Sequence, residues 1–348
     1  MANPFLTYLK ERLPLVEKGL AAAADSPLFP NQAQVDDLNQ YLYAPLAAFT
    51  QGGGKRVRPV LCLLGAEACG AAPEAALAPA VAVELFQSAA LIHDDIADES
   101  DLRRGEPCLY CTHGTGLAIN MGDLSLTQVF EVVLADNSLD AEAKVRILDT
   151  LVKMERHTLE GQALDLGWAR DGRWDITEKD YWAMVVGKTA YYTAASPLVL
   201  GAICAGAAQE TLDELSQIGL CAGVAFQIQD DLLNLVGDPA AQGKDLRSDI
   251  TEGKRTLAVV YALEHLDEKN KAQLIGLLGA QTADPAQLAQ AVDLIELGGG
   301  IDYCRHVAQD NIARAKEAAR SSAAAGHITV EASELLVSMA DFFVERAG

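Results

Sequence analysis

The stretch LIHDDIADESDLRRGEPC, residues Leu91 to Cys108, joins a cluster of acidic residues and two arginines to the end of an apolar run. The run that leads into it, VAVELFQSAAL, predicts a helix whose body lies in the protein interior. Asp94 and Asp98 are four residues apart, so a helix places both on one face with their Cβ atoms about 5–6 Å apart. Like charges at this spacing destabilise a helix unless a cation joins them. The stretch therefore predicts that a cation binds at the end of a buried helix.

A second stretch has the same pattern. FQIQDDLLNLVGD, residues 226–238, places Asp230 and Asp231 after an equally apolar run, with Asn234 in the fourth-residue position. The longer segment 216–238 predicts one helix that ends near Gly237. Two acidic helix ends of this kind predict facing walls of one cavity. Carboxylate oxygens suit Mg²⁺, which completes its shell with water and phosphate oxygens, so an acidic protein can bind a still more acidic diphosphate.

Composition favours a single helical domain. Half of the 348 residues are apolar, aromatic residues are few, and short Gly, Pro or Asp segments break a nearly continuous helical periodicity. We therefore predict an all-α fold in one domain over residues 1–348, because no Pro/Ser-rich linker divides the chain. The net charge of −22 argues against nucleic acid as a partner, since the overall field repels phosphates.

Targeting signals and cysteines point to the cytoplasm. The first residues, MANPFLTYLKERLPL, lack the basic segment and apolar core of a signal peptide. The apolar stretch from Ser196 is shorter than the roughly 20 residues of a membrane span and contains Pro197, so we expect no integral membrane segment. Seven cysteines, an odd number that lie mostly in apolar stretches, indicate reduced thiols.

Basic residues accompany the acidic clusters. In GGGKRVRP, residues 52–59, Lys55 and Arg58 are predicted to lie on the first turn of a helix, after glycines that let a ligand approach the backbone. Three further stretches supply Arg103 and Arg104 (LRRG), Lys188 at a predicted helix start (GKTA), and Lys244, Lys254 and Arg255 (GKDLRSDITEGKRT). Single surface cations are common, but the association of these residues with glycine and with both acidic clusters predicts an anion-binding cavity.

Together these stretches resemble one known family. GGGKRVRP, DDIAD followed by ESDLRRGEP, GTGLAINMGD, EGQALDL, GKTA, FQIQDD and GKDLRSDITEGKRT have the order and spacing of the trans-polyprenyl diphosphate synthases. The resemblance implies an isoprenoid synthase helical bundle around a deep central cavity, in a protein that usually forms a homodimer. It also implies Mg²⁺-dependent head-to-tail condensation of isopentenyl diphosphate with an allylic diphosphate, which releases pyrophosphate.

The resemblance assigns roles to individual residues. Asp94 and Asp98 would bind two of three Mg²⁺ ions, and Asp230 the third. The substrate-binding residues would be Arg103, Lys188 and Lys244 for the allylic diphosphate, Lys55, Arg58, Gln87 and Arg104 for isopentenyl diphosphate, and in addition Lys254. The catalytic residues would be Lys188, Thr189, Gln227 and Lys244. Thr189 and Gln227, beside the reacting carbons, would also bind the substrate.

The sequence departs from the family pattern at several positions. Gln87 stands where many members have a histidine that contacts isopentenyl diphosphate. Asn234 replaces the usual last aspartate of the second acidic motif. Arg247 replaces a frequent glycine, two residues before Asp249, which is a candidate for metal contact. These departures leave open a non-catalytic partner subunit, whereas intact DDIAD and GKRT favour an active enzyme.

Product length and reaction type have alternatives. Ala89 and Ala90 are small, and Phe86 lies eight residues before Asp94, about 12 Å deeper on a helix. By the family pattern, this indicates an open upper channel with Phe86 as its stop, and geranylgeranyl diphosphate (C20) as the product, with farnesyl diphosphate and longer chains open. A terpene cyclase would also need acidic Mg²⁺ sites, but Lys55, Arg58 and Arg104 favour a second diphosphate pocket.

Overall fold

The computed structural model describes residues 3–23, 32–237 and 246–345, and this part of the chain is almost entirely helical, which confirms the all-α prediction. The elements of the first half are α1 (Pro4–Ala22), α2 (Gln32–Leu38), the π-helical segment π1 (Asn39–Tyr43), α3 (Ala44–Gln51), α4 (Val57–Ala68), a 3₁₀ turn (Pro73–Ala76), α5 (Leu77–Ala97), β1 (Leu102–Arg103), β2 (Glu106–Pro107), α6 (Leu109–His113), α7 (Thr115–Ala135) and α8 (Ala141–Arg170). Those of the second half are α9 (Glu178–Val185), the π-helical segment π2 (Val186–Ala195), α10 (Ser196–Cys204), α11 (Gln209–Val236), α12 (Ser248–Thr251), α13 (Leu257–His265), α14 (Glu268–Gly279), α15 (Pro285–Leu297), α16 (Gly300–Ala325) and α17 (Val330–Glu345).

Both predicted acidic helices form. α5 carries Asp94 in its last turn, and Asp98 is the residue that caps it. α11 begins at Gln209 rather than Ser216, and ends with Gly237 as its cap, as predicted. α5 packs along α7, while α11 packs along π2 and α16 in the centre of the protein. Each acidic end is thus held by a helix whose apolar body is in the core.

A short β-hairpin follows α5, although the sequence predicted only helix. Leu102 pairs with Pro107 and Arg103 with Glu106 in antiparallel register. The two residues between the strands, Arg104 and Gly105, both have positive φ, at 55° and 82°. These φ values are typical of a two-residue hairpin turn, in which glycine is favoured at the second position. The hairpin directs the neighbouring side chains of Arg103 and Arg104 to different partners.

Two predicted helix starts are wrong. Lys188 does not begin a helix, because α9, π2 and α10 follow one another without a break and place it inside π2. Lys55 precedes α4, which starts at Val57, and only Arg58 lies in its first turn. The difference arises at Arg56, which has a left-handed backbone (φ 48°) and forms buried ion pairs with Glu84 and Glu17.

Among the described residues, two helical segments are long and apolar enough to cross a membrane, Pro73–Ala97 and Thr115–Ala135. In the first, 78% of the most apolar window is buried inside the protein, as expected of a core helix. In the second, the buried share is 39%. The stretch from Ser196, which the sequence singles out as too short to span, forms the nine-residue helix α10 in the core.

Helices α4 and α10 meet at two glycines. A Cβ atom at Gly201 would lie 1.9 Å from the Cys62 carbonyl oxygen, and one at Gly65 would lie 2.1 Å from the Leu198 carbonyl oxygen. These distances are far below van der Waals contact, so any side chain here must push the two backbones apart. Gly276 on α14 has the opposite surroundings, since a Cβ there meets open space.

We predict that Gly201→Ala lowers the free energy of unfolding by at least about 2 kcal/mol, because the added methyl group overpacks two rigid backbones. Gly276→Ala is the matched control and should raise stability by up to about 1 kcal/mol through helix propensity. Urea denaturation followed by circular dichroism measures both. Equal midpoints for Gly201→Ala and the wild type would contradict the close packing of α4 and α10.

Candidate active site

An acidic pocket of about 140 Å³ lies between α8, α9, π2, α11 and the segment that leads into α13. Its charged and polar lining consists of Asp165, Lys188, Thr189, Gln227, Asp230, Asp231, Asn234, Asp249, Lys254, Arg255 and Thr256. The structure therefore brings together five residues that the sequence assigned to the site from three separate motifs. Of the other residues assigned to this site, Asp94, Asp98 and Arg103 do not line the pocket, and Lys244 lies outside the described residues.

Lys188 owes its position to close packing between π2 and α8. A Cβ atom at Gly161 of α8 would lie 2.3 Å from the Lys188 backbone nitrogen, so only glycine permits this approach. The Lys188 ammonium group forms an ion pair with the buried carboxylate of Asp165, one turn further along α8. Asp165 belongs to the EGQALDL stretch, and the sequence gave no reason to single it out.

Asp94 does not line this pocket but interacts with two of its cations, Lys188 and Lys254. Its Oδ1 accepts a hydrogen bond from Gln162 Nε2 at 2.9 Å. Burial raises the pKa of Asp94 to about 6, and the neighbouring charge of Asp98 adds to this, while Lys188 and Lys254 oppose it. Because Lys254 also interacts with Asp98 and Asp249, it lies between the two acidic clusters. The predicted facing arrangement of the clusters is thus supported.

The two aspartates of the second cluster differ. Asp230 is exposed at the pocket surface. Asp231 is only 7% exposed and accepts a hydrogen bond from Gln227 Nε2 at 2.6 Å. Burial raises the pKa of Asp231 well above its ordinary value, and the charge of Asp249 adds to this. Asp230 is therefore the better candidate for binding a metal ion, and Asp231 holds Gln227 in place.

Asn234 does not replace the missing aspartate as a ligand but anchors the neighbouring segment. Its Nδ2 donates to Ser248 Oγ at 3.0 Å, and its Oδ1 accepts from the Asp249 backbone N–H at 3.2 Å. Its carbonyl oxygen accepts from the N–H of Arg247, which has a left-handed backbone with φ 66°. The two departures from the family pattern, Asn234 and Arg247, thus contact each other and hold Asp249 beside the pocket.

The first cluster contains a residue whose role the sequence did not indicate. Asp95 is 1% exposed, and its Oδ1 accepts from Arg103 Nε at 2.8 Å and from a second nitrogen of the same guanidinium. Asp95 therefore fixes Arg103 at the rim of the cavity. Helical periodicity could have indicated a buried Asp95, because this residue lies about 100° around the helix from Asp94, toward the packed side.

A second, basic pocket of about 610 Å³ adjoins the start of α4. Its lining includes Gly52, Gly53, Gly54, Lys55, Arg56, Arg58, Glu84, Gln87, Arg104, Thr193, Phe226 and Phe342. All four residues assigned to isopentenyl diphosphate therefore line one cavity. Arg104 reaches it from the hairpin and donates a hydrogen bond to the carbonyl oxygen of Gly53.

Neighbouring side chains hold the cations of the basic pocket in place. The Arg58 guanidinium donates to Tyr192 Oη at 2.8 Å and to Thr193 Oγ1 at 3.0 Å, and lies 4.3 Å from the centre of the Tyr192 ring. Gln87 is 9% exposed, and its Oε1 has no hydrogen-bond partner in the described part of the chain. The Arg56 guanidinium, by contrast, forms ion pairs with Glu84 and Glu17, so we assign it a structural role.

The residues of the acidic pocket fit divalent cations. Asp94, Asp98 and Asp230 present hard oxygen ligands, and the raised pKa of Asp94 shows that its ionised form lacks full compensation from the protein alone. Mg²⁺ is typically bound by one or two carboxylates together with phosphate oxygens and water. The one compact group of ligand atoms among the described residues, Glu210, Glu214 and His327, includes none of these aspartates.

An all-α cavity that combines carboxylates for metal ions with two sets of cations defines an enzyme that acts on diphosphates. Residues 39–295 match the family model described as polyprenyl synthetase. The chain is 40% identical over 296 residues to a short chain isoprenyl diphosphate synthase of Methanothermobacter thermautotrophicus, covering 84% of this chain and 87% of that one.

Solved structures of prenyl diphosphate synthases are similar to this chain over nearly its whole length. A geranylgeranyl pyrophosphate synthetase from Pyrococcus horikoshii superposes with a TM-score of 0.84 at 34% identity, covering 98% of each chain. A geranylgeranyl pyrophosphate synthase from Corynebacterium glutamicum, complexed with isoprenyl diphosphate and magnesium, gives a TM-score of 0.82 at 28% identity over 99% of each chain. The chain belongs to the polyprenyl synthetase family. It is a prenyltransferase of the Mg²⁺-dependent kind that joins isopentenyl diphosphate to an allylic diphosphate.

We predict that Mg²⁺ affinity of the substrate-free protein falls as the pH drops through about 6. The proton and the metal compete for Asp94, and its carboxyl is neutral below its raised pKa, whereas an ordinary aspartate would remain ionised down to about 4. Isothermal titration calorimetry at several pH values measures this. Asp149→Asn, which changes an exposed carboxylate on α8, should keep the profile, and Asp94→Asn should reduce the change. An affinity that is constant across this range would contradict the assignment of Asp94.

Proposed function

We propose that the acidic pocket binds the allylic diphosphate, that the basic pocket binds isopentenyl diphosphate, and that the product is geranylgeranyl diphosphate (C20). The hairpin between the pockets is the observation that carries this proposal. Arg103 donates a hydrogen bond to Asp95 at the rim of the acidic pocket, whereas Arg104 donates one to the Gly53 carbonyl oxygen at the basic pocket. The two adjacent arginines therefore lie at different cavities.

In the acidic pocket we assign three Mg²⁺ ions to carboxylates on facing helices. Asp94 and Asp98 would bind two of them, and Asp230 the third. Lys188 and Lys254 support this assignment, because both interact with the carboxylates from within the cavity and can neutralise a diphosphate there. The allylic diphosphate would also contact Arg103 and Lys244.

In the basic pocket, Lys55, Arg58 and Arg104 would hold the second diphosphate. Glycines 52–54 bring the backbone close to the ligand without side chains in the way. Gln87 would contact the same substrate in place of the usual histidine, and its buried Oε1, which lacks a partner among the described residues, is consistent with a ligand-facing amide. The charge of this pocket requires no metal ion.

The reaction follows from this separation of charge. Mg²⁺ held by the aspartates would supply positive charge that makes pyrophosphate a good leaving group, and Lys188 would add to this charge. Thr189 and Gln227 line the acidic pocket and would face the carbocation that forms. The double bond of isopentenyl diphosphate then attacks, and a proton is lost to the released pyrophosphate. The buried helix walls exclude water, which would otherwise quench the cation.

The side chains below Asp94 support a C20 product. Ala90 is partly exposed on the wall of α5, although Ala89, expected to line the channel with it, is fully buried. Phe86 is 2% exposed, and its ring meets the Tyr192 ring edge-on at 5.7 Å. A small residue followed by a buried aromatic one leaves room for a chain of intermediate length.

Purified protein with Mg²⁺, isopentenyl diphosphate and a series of allylic diphosphates should release pyrophosphate and yield mainly C20 product by mass spectrometry. Arg104→Ala should raise the KM for isopentenyl diphosphate about tenfold or more and leave that of the allylic substrate nearly unchanged. Arg146→Ala, on α8 and away from both pockets, is the control. Ionisation of the allylic substrate without condensation would favour a terpene cyclase, and no reaction with any primer would favour a non-catalytic subunit.

We further propose a cytoplasmic homodimer in which each chain is one domain. All seven cysteines are free thiols, and Asn3 near the start bonds to Ser338 near the end. An apolar stripe on α8 supports a dimer. It consists of four exposed residues spaced seven positions apart: Val145 (66% exposed), Val152 (51%), Leu159 (62%) and Leu166 (38%). Ile119 and Leu134 on the neighbouring α7 are exposed as well. A second copy of the chain would cover this surface.

Val152→Glu should therefore shift the protein from dimer to monomer, because it places a charge in the centre of the apolar stripe. Val330→Glu is a matched control, since Val330 is a similarly exposed valine (61%) on α17. Sedimentation velocity measures the oligomeric state of both variants. A Val152→Glu protein that remains as dimeric as the wild type would place the interface elsewhere.

A further inference from the structure

Glu155, in the middle of α8, is half-buried, and its carboxyl group has no role in the proposed reaction. Its Oε1 is shielded from solvent and has no hydrogen-bond partner among the described residues. Burial raises the pKa of this carboxyl group to about 7. A buried polar atom without a hydrogen-bond partner destabilises a protein, so its presence requires an explanation other than folding.

The register of α8 locates Glu155 relative to the metal site. Gln162, which contacts Asp94, lies seven residues after Glu155 on the same helix. Seven residues are close to two full turns, so both side chains lie on one line along α8, with Glu155 about 10.5 Å further from the rim. The exposed apolar stripe and the face packed against π2 lie on either side of this line.

Neighbouring helices show which part of α5 is level with Glu155. α7 runs antiparallel to α5, since Gly122 meets His93 and Ser125 Oγ donates to the Leu85 carbonyl oxygen. α8 runs antiparallel to α7, and its Lys144 donates to the Leu134 carbonyl oxygen. α8 is therefore parallel to α5.

Between the level of Glu155 and Asp94, α5 has a partly exposed surface. Gln87, seven residues before Asp94, is level with Glu155 but lines the basic pocket. Between these two positions, Ala90 and Leu91 are partly exposed, although Ala89 and Ile92 on either side of them are buried. A partly exposed surface inside a core helix indicates a channel below Asp94.

We propose that Glu155 is a specificity-determining residue whose carboxyl group faces this channel and limits the length of the prenyl product. The inference rests on the proposed function, because the growing chain must extend from the acidic pocket past this level. A hydrocarbon chain beside the carboxyl group separates it further from water and offers it no hydrogen bond, which is unfavourable. Chains that stop short of Glu155 avoid this contact.

Replacement of the carboxyl group by an apolar side chain of similar size tests the proposal. Glu155→Leu should raise the ratio of products longer than the main wild-type product about tenfold, because the polar contact is lost while the volume is kept. Glu155→Gln keeps a polar group and should stay within about twofold of the wild type. Product ratios are measured by mass spectrometry with a fixed primer. Glu155→Leu should also raise the melting temperature, since it removes a buried unpaired group.

Glu160→Leu is the control on the same helix, because Glu160 is exposed and paired with Arg156. Its product ratio should equal that of the wild type. A folded and active Glu155→Leu enzyme with the wild-type ratio would overturn the role of Glu155 and leave the proposed function intact. A wild-type protein that forms no prenyl diphosphate would instead overturn the proposed function, and this inference with it.

Discussion

The close approach of α8 and π2 determines the geometry of the acidic pocket. It is possible only because both helices carry glycine at the contact: Gly161 meets the Lys188 backbone, and a Cβ atom at Gly187 would lie 2.9 Å from the His157 carbonyl oxygen. With the helices at this distance, Gln162 reaches Asp94 and Asp165 reaches Lys188. A single backbone contact thus positions a predicted metal ligand and the central cation together.

Paired charges explain how a chain of net charge −22 can bind an anion. Asp95, Asp165 and Asp249 are each paired with a cation, namely Arg103, Lys188 and Lys254. These pairs leave the cations at the cavity surface in fixed positions. Asp94 keeps a raised pKa in spite of them, so the cavity still favours an additional positive charge. The basic pocket on the far side of the hairpin has its own arginines, of which Arg58 and Arg104 are held by the neutral partners Tyr192, Thr193 and the Gly53 carbonyl oxygen.

The sequence was sufficient for the helical fold and for the grouping of residues into two pockets. Spacing along α5 and α11 predicted both acidic helix ends, since helical periodicity depends only on local sequence. It could not show the partners that come from distant segments, such as Asp165 for Lys188 or Glu84 for Arg56. It also missed the hairpin and the left-handed Arg56, because no propensity indicates a positive φ at arginine. Asn234 illustrates the limit best, since its bonds to Ser248 and Asp249 explain a substitution that the sequence could only mark as a departure.

The separation of the two diphosphates between a metal-dependent and a metal-independent pocket is the central claim. Binding of each substrate, measured by isothermal titration calorimetry with and without EDTA, tests it most directly, with a non-reactive thio-analogue for the allylic substrate. We predict that EDTA abolishes binding of the allylic analogue, because the carboxylates left without metal repel it in spite of Lys188 and Lys254, and that isopentenyl diphosphate stays bound through Lys55, Arg58 and Arg104. Loss of both affinities on chelation, or of neither, would contradict it.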